Sequence, residues 1–149
     1  MPDVKKFKAL GMTAARHARE KAAADGTTAN DIIDMCALLE PWRSGTMEHP
    51  EEYPLNAVRT HNAMPWRCAI AHTHHGESGW APGEGNSMWF PKHGTDKAHA
   101  LAYVSPTCAE DAYQAGEWMI YTDGIAYECQ QNATVYGPDV LPNAWKAAV

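Results

Sequence analysis

Residues 113–129 read YQAGEWMIYTDGIAYEC and carry the strongest structural signal in this chain. Two alternating, largely apolar segments, 118–121 and 125–129, flank the short stretch TDG at 122–124. Asp-Gly favours a tight turn between antiparallel strands because glycine adopts positive φ without steric cost. The stretch therefore predicts a β-hairpin.

The same pattern occurs once more, earlier in the chain. Residues 53–68 read YPLNAVRTHNAMPWRC, with a weaker turn signal at 62–64. Tyrosine and cysteine are 15 residues apart in this copy and 16 apart in the other, and both copies continue to an aromatic-x-Pro followed seven residues later by Trp. The first copy carries five additional residues between its cysteine and that aromatic. The matched residues, in order, are Tyr53, Trp66, Cys68, Trp80, Pro82 and Trp89 in the first copy and Tyr113, Tyr127, Cys129, Tyr136, Pro138 and Trp145 in the second. The recurrence predicts two tandem copies of one module, roughly 53–91 and 113–147.

Residues 12–40 have a helical pattern instead. A run of alanines is followed by Asp25-Gly26, which is a typical helix stop. Thr28 and Asp31 form a capping pair, and Pro41 ends the second helical segment. The apolar residues of that segment recur with helical period: Ile32, Ile33, Met35, Cys36 and Leu39. We expect a helical hairpin whose single apolar face packs on another protein or on further copies of this chain.

Together these patterns predict an α+β fold, in which an N-terminal helical hairpin precedes two small antiparallel β modules. The corresponding division is a helical anchoring segment at 1–45, a first module at 46–92, a linker at 93–109 and a second module at 110–149. Modules of this size have little aliphatic core, so we expect aromatic side chains to supply most of it.

The order of aromatic residues, cysteine and proline resembles that of the small carbohydrate-binding modules appended to bacterial chitinases and cellulases. It is also similar to the tandem form of that module in tail-associated and other virion proteins of phages and prophages. The resemblance is carried by 113–121, 125–129 and 138–145 in the second copy and by 66–73 and 80–89 in the first. It implies a β module with a buried aromatic core, formed here by Tyr53, Trp66, Trp89, Tyr113, Tyr127 and Trp145.

Two features depart from the family pattern. Asn56 stands where the modules place the glycine that the second copy keeps as Gly116, and the adjacent tryptophans that many chitin-binding versions use for stacking are absent. Sugar recognition needs an aromatic ring against the CH-rich face of a pyranose and polar groups for its hydroxyls. The resemblance therefore directs attention to a set of aromatic and imidazole side chains as carbohydrate-binding candidates: Trp80, His72, Tyr136, Tyr121 and Trp118.

Metal binding has weaker support. Four histidines lie in or near one predicted loop: His61, His72, His74 and His75. Imidazole is a common metal ligand, but no cysteine with ligand spacing accompanies these residues. We therefore favour a hydrogen-bonded or solvated cluster over an ion, and we assign no metal ligand.

Catalysis also has little support. The cysteines Cys36, Cys68, Cys108 and Cys129 show no Cys-x-x-Cys or Cys/His finger spacing, so we expect buried, reduced thiols. The chain contains no GxSxG, HExxH or P-loop motif. Cys108 with His99 or His93 is the one remaining pairing of a nucleophile with a base, and a lone cysteine in such a context is more often structural. We expect no enzyme activity and no cofactor.

The formal charge of −6 is unevenly distributed. Residues 1–25 carry more basic than acidic groups, so the rest of the chain is more acidic than the total. This balance argues against a nucleic-acid footprint over most of the surface, because that needs clustered lysine and arginine. No apolar run approaches the roughly 20 residues needed to cross a bilayer, and the start MPDVKKFKAL lacks a signal-peptide pattern.

The residues and the resemblance together lead to an expected function. We expect a non-enzymatic structural protein of a phage or prophage virion, associated with the tail, a fibre or the capsid, and assembled in the cytoplasm of the bacterial host. Its expected partners are other virion proteins, bound through the N-terminal helices, further copies of itself in a homo-oligomer, and bacterial-surface or mucosal glycans bound weakly and multivalently. The alternative is a purely structural decoration or assembly protein whose modules bind other virion proteins. A third reading, an accessory binding domain of a glycan-degrading enzyme, is disfavoured because no catalytic region is attached.

Overall fold

The computed structural model describes residues 27–148, and within this range the chain forms small β-sheets with one short α-helix. The elements are α1 (Ala29–Asp34), a first 3-10 turn (Cys36–Leu38), β1 (Glu51–Tyr53), β2 (Val58–His61), β3 (Met64–Cys68), β4 (His72–His74), β5 (Trp89–Pro91), a second 3-10 turn (Lys97–His99), β6 (Leu101–Ala102), β7 (Trp118–Ile120), β8 (Ala126–Cys129), a third 3-10 turn (Pro142–Ala144) and β9 (Trp145–Ala147). The sheets have the strand orders β1-β4, β2-β3-β5 and β6-β7-β8-β9.

The predicted α+β fold with an N-terminal helical hairpin is wrong. Of the predicted second helix, only Ala29–Asp34 is α-helical, followed by the 3-10 turn at Cys36–Leu38. Thr28 does cap α1, since its hydroxyl accepts a hydrogen bond from the Asp31 amide at 3.2 Å. The predicted first helix, at 12–26, lies outside the described residues.

Pairing with β2 keeps the chain from being helical as far as Pro41, where the sequence predicts the helix to end. The carbonyl of Glu40 accepts from the amide of Thr60 at 2.9 Å, and the amide of Trp42 donates to the carbonyl of Thr60 at 2.8 Å. Residues 40–42 are therefore extended alongside β2, and Pro41 forms a parallel bridge there. Two interstrand hydrogen bonds thus override the local helical pattern.

The apolar residues of the predicted helix are buried within the chain itself. Ile32 and Leu39 are buried against Val58 of β2, and Met35 packs at the edge of this cluster. The helical spacing of these apolar residues therefore corresponds to a contact within the chain.

The closing strands of the two larger sheets pair in equivalent registers. In the first, β3 pairs antiparallel with β5 so that Cys68 lies opposite Trp89. In the second, β8 pairs antiparallel with β9 so that Cys129 lies opposite Trp145. The two closing tryptophans therefore occupy equivalent positions in the two sheets.

A left-handed residue opens each hairpin. Asn56, with φ of 68°, donates its amide to the carbonyl of Cys68 at 2.8 Å. Gly116, with φ of 92°, donates its amide to the carbonyl of Cys129 at 2.9 Å. Asparagine is among the few residues that tolerate positive φ, so Asn56 can replace the glycine of the pattern.

The similarity between the copies begins earlier in the chain than the tyrosines. The amide of Trp42 donates to the carbonyl of Thr60 at 2.8 Å, and the amide of Tyr103 donates to the carbonyl of Ile120 at the same distance. Each of these segments runs parallel to the first strand of its hairpin.

The residues that follow are also equivalent. The hydroxyl of Tyr53 accepts from the amide of Arg43 at 2.8 Å, and the hydroxyl of Tyr113 accepts from the amide of Val104 at 3.3 Å. A 3-10 turn precedes each segment, so the structural repeats span 36–91 and 97–147. Residues 97–104 therefore have the same arrangement as residues 36–43.

Each repeat has its own aromatic core. Tyr127, one of the six residues expected there, is half-buried. The other five are buried: Tyr53, Trp66, Trp89, Tyr113 and Trp145. The repeats also contact each other, since Leu101 and Val104 of the second pack against the core of the first. The hydroxyl of Ser87 donates to that of Thr107 at 3.4 Å across the same boundary.

Candidate functional site

His72 and Trp80 lie together in the first repeat. The His72 ring packs against Tyr53, with centroids 5.4 Å apart, and against Trp89, with centroids 5.7 Å apart. Its Nδ1 hydrogen-bonds to the carbonyl of Ile70 at 2.6 Å, which fixes the ring. Trp80 is half-buried and meets His72 edge to face at 6.0 Å. These two candidates are therefore partly used in packing the first core.

An open groove of about 450 Å³ adjoins His72. It is lined by Glu52, Tyr53, Pro54, Ala71, His72 and Thr73. The carboxylate of Glu52 and the hydroxyl of Thr73 lie on paired strands, directly opposite each other. The groove offers polar groups, but of its two rings Tyr53 is buried and His72 packs against the first core.

His74 is a structural residue. It is buried, its Nδ1 accepts from the amide of Gly45 at 2.9 Å, and its Nε2 therefore carries the proton and donates to the carbonyl of Glu77 at 2.8 Å. A Cβ on Gly45 would lie 1.8 Å from the carbonyl oxygen of His74, so this approach requires glycine. Both ring nitrogens of His74 are occupied, and neither is available to a metal ion.

The other histidines of the predicted cluster do not converge either. His75 is directed to the carboxylate of Glu77, with Nδ1 3.2 Å from Oε1, and His61 packs edge to face on Trp42. Within residues 27–148, no three His, Cys, Asp or Glu side chains are grouped as metal ligands.

Tyr136 and Tyr121 lie together in the second repeat. Tyr136 is 55% exposed, and its carbonyl accepts from the Trp145 indole Nε1 at 2.9 Å, which ties the loop to the core. The Tyr121 hydroxyl donates to Oδ2 of Asp139 at 2.9 Å, and this hydrogen bond raises the pKa of Tyr121. A Cβ on Gly137 would lie 2.8 Å from the Tyr121 ring, so glycine lets the loop pass over that ring.

Trp118 stands apart from the other candidates. It lies on β7 next to Met119, whose side chain is buried in the second core. Successive side chains of a strand point to opposite faces, so Trp118 lies on the face away from that core. The five predicted residues therefore form no single site: His72 and Trp80 lie in the first repeat, Tyr121 and Tyr136 lie in the second, and Trp118 lies on a separate face.

Sequence reasoning missed the residues around Tyr136. Val140 is 63% exposed, Leu141 is 39% exposed, and Asp139 lies beside them. The signal that was available is an unusual pair of aliphatic residues in a loop that follows Pro138, where polar residues are expected.

The remaining nucleophile–base pairing is not assembled. The amide of Cys108 donates to the buried carboxylate of Asp111 at 2.9 Å. His93 is bonded to Glu117 and His99 to two aspartates, and no hydrogen bond joins Cys108 to either imidazole in the described part of the chain. Burial raises the pKa of the Cys68 thiol, which disfavours the reactive thiolate.

None of the helices in the described range reaches the length and apolar character that a membrane span requires.

Comparisons with known proteins identify no family for this chain. No protein-family model and no curated protein matches this chain.

Proposed function

We propose that this chain is a non-enzymatic structural protein of a phage or prophage virion whose tandem β modules bind surface glycans weakly and multivalently. The proposal rests on the resemblance of the Tyr–Cys–Pro–Trp pattern to carbohydrate-binding modules, and on the environment of one exposed ring.

That ring is Tyr136. More than half of its surface is exposed, and its loop is tied down at two points, by the Trp145 indole and by the Tyr121–Asp139 hydrogen bond. A tyrosine on a fixed loop offers a flat apolar face with little conformational entropy left to lose on binding. This is the property that stacking against a pyranose requires.

The carboxylate of Asp139, three residues after Tyr136 in the same loop, supplies the polar part of such a site. Asp139 uses Oδ2 for Tyr121, which leaves Oδ1 as an acceptor. Hydrogen bonds that involve a carboxylate are stronger than neutral ones, so sugar hydroxyls are suitable donors to Asp139. Because a single ring and one carboxylate make a weak site, many copies on one particle are needed for useful avidity.

The second candidate function is a decoration or assembly protein whose modules bind other virion proteins. Val140 and Leu141 favour it, because exposed aliphatic side chains beside an exposed ring are typical of protein contacts. Neither candidate assigns a catalytic residue.

Two measurements test the proposal. Proteomic analysis of purified particles should find the protein, and its absence from particles would contradict the virion assignment. The purified protein, displayed in many copies on beads, should be retained by some members of an array of bacterial-surface and mucosal glycans. Failure to bind any of them while the protein is present in particles would favour the assembly role.

A further inference from the structure

A cavity of about 300 Å³ lies between the two repeats and beside the start of α1. Arg67 of β3, Lys92 after β5 and His93 line it from one side, and Gln114 and Glu117 line it from the second repeat. None of these residues belongs to the loop of Tyr136, so the cavity is independent of the glycan site proposed above.

Two cations in this cavity form no ion pair with any carboxylate of the described residues. The Arg67 guanidinium lies over the Phe90 ring, 5.5 Å from its centroid, and Nη1 donates to the amide oxygen of Asn56 at 3.2 Å. Among residues 27–148, no carboxylate lies within 4 Å of Arg67 or of Lys92. Desolvation and the charge of Arg67 both lower the pKa of Lys92. Two neighbouring like charges on half-buried residues favour an anion between them.

A third group in the cavity wall is also incompletely paired. The side chain of His93 is only 9% exposed, stacks on Tyr113 with centroids 3.8 Å apart, and places Nδ1 2.5 Å from Oε2 of Glu117. Its Nε2 is buried and has no hydrogen-bond partner among the described residues. A buried polar atom without a partner is uncommon and calls for a ligand or water.

The carboxylates that line the cavity are mostly engaged. Asp111 accepts from the amides of Thr107 and Cys108 and from the Thr107 hydroxyl. Glu117 accepts from the amide of Gln114 at 3.1 Å in addition to His93. Only Glu110, at the exposed rim, has no such contact in the described part of the chain. The hydrogen bonds of Asp111 and Glu117 leave both carboxylates charged but occupy their oxygens, so the charged donors that the cavity offers to a ligand are Arg67 and Lys92.

We propose that this cavity between the repeats is a binding site for an oxyanion group, phosphate or sulfate, held by Arg67 and Lys92. Arginine presents paired N–H donors that match two oxygens of such a group, and lysine supplies a point charge. The group is either a free ion or an ester on a larger molecule, and the chemistry recognised is the same.

Titration of the full-length protein with sodium phosphate and sodium sulfate, at constant ionic strength set by chloride, tests this proposal. We expect saturable binding with one site per chain, which Arg67→Gln and Lys92→Gln each weaken at least about tenfold. Lys97→Gln and Lys146→Gln remove exposed lysines outside the cavity and should leave the affinity unchanged. Methyl phosphate distinguishes the sources: binding equal to that of inorganic phosphate means that the site admits an ester, and binding of the inorganic ion alone means that it takes only the free ion.

A second variant controls for the possibility that a substitution in the cavity unfolds the protein. Lys92→Met keeps the packing of the aliphatic stem while removing the charge, so its melting temperature in chloride should stay close to that of the parent. Phosphate should raise the melting temperature of the parent and not that of Lys92→Met. The proposal is overturned if no anion binds saturably, or if the Arg67 and Lys92 variants bind as well as the parent.

Discussion

Tyr53 and Trp89 pack edge to face in the first core, with ring centroids 5.0 Å apart and planes at 81°. Tyr113 and Trp145 repeat this contact in the second core at 5.2 Å and 70°. In modules with few aliphatic residues, such an aromatic pair carries a large part of the buried apolar surface. The stability of each repeat should therefore depend on its closing tryptophan.

The two tryptophans differ in one hydrogen bond, and this difference is measurable. Trp145 donates Nε1 to the carbonyl of Tyr136, whereas Nε1 of Trp89 is buried without a partner among the described residues. Either residue replaced by Ala should cost about 3–5 kcal/mol. Trp145→Phe should cost about 0.5–1.5 kcal/mol more than Trp89→Phe, because only the former loses a hydrogen bond. Urea denaturation of the matched pair checks this, and equal losses for the two Phe variants would contradict it.

The positive φ of Gly116 gives a second prediction. A Cβ on Gly116 would meet no atom within 4 Å, so Gly116→Ala introduces backbone strain without a clash. We expect it to lower the free energy of unfolding by about 1–2 kcal/mol. Gly116→Asn should cost less, since Asn56 already occupies the equivalent position at φ of 68°. If denaturation finds the two variants equally stable, the conformational equivalence of these positions is contradicted.

His99 joins α1 to the second repeat in a pH-dependent way. Its Nδ1 lies 2.7 Å from Oδ1 of Asp96 and its Nε2 lies 2.7 Å from Oδ1 of Asp34. These two hydrogen bonds, first that to Asp96, raise the pKa of His99 above its ordinary value. A raised pKa in the folded state stabilises the fold fully at pH below the unfolded value of about 6.5 and loses that contribution as pH rises through the folded value.

We therefore expect His99→Gln to be less stable than the parent at pH 5.5, with the difference shrinking by pH 8.5. Urea midpoints of both proteins at the two pH values measure this, and effects of the other groups cancel in the comparison. A stability difference that grows with pH would contradict the assigned ion pairs.

The part of the fold that could be predicted follows from local signals. The turn at Asp123-Gly124 predicts where β7 and β8 are joined. The recurring order of Tyr, Cys and Trp predicts which two aromatic residues, Tyr113 and Trp145, contact each other in the core. These are short-range patterns in which turn chemistry and aromatic burial agree. The role of Asn56 could also be inferred, because asparagine adopts the same left-handed conformation as Gly116.

The remaining parts of the fold depend on contacts that produce no periodic pattern in the sequence. β6 has only two residues, and the bridge at Pro41 has one, so neither shows an alternating pattern. Apolar residues recur with helical period over 28–40, but only Ala29–Asp34 is α-helical, and Glu40 and Trp42 pair with Thr60 instead. His74 could not be assigned a structural role in advance, since its partner is a backbone amide 29 residues away, at Gly45.

The candidate sugar site could be predicted only in part. The aromatic-x-Pro segment predicts Tyr136 and Trp80 alike, and the resemblance gives no means of ranking one above the other. The exposures of these two rings differ because Trp80 packs against His72 and His74. The five residues that lengthen the first copy precede Trp80 and lie in the region where the two copies diverge.

Stacking at Tyr136 is the central claim, and variants at this position separate it from a protein contact. Tyr136→Phe keeps the ring, Tyr136→Leu keeps apolar area without it, and Val140→Ser is the matched control for the neighbouring aliphatic surface. Tyr136 and Val140 are both exposed, so all three variants should melt close to the parent.

The most direct measurement is the affinity of these proteins for a glycan that the parent retains, determined by titration of the purified protein with the soluble oligosaccharide. We expect Tyr136→Leu, and Tyr136→Ala, to lose about 1 kcal/mol or more of binding free energy, while Tyr136→Phe and Val140→Ser bind nearly as the parent does. Equal binding by the parent and Tyr136→Leu would contradict the account.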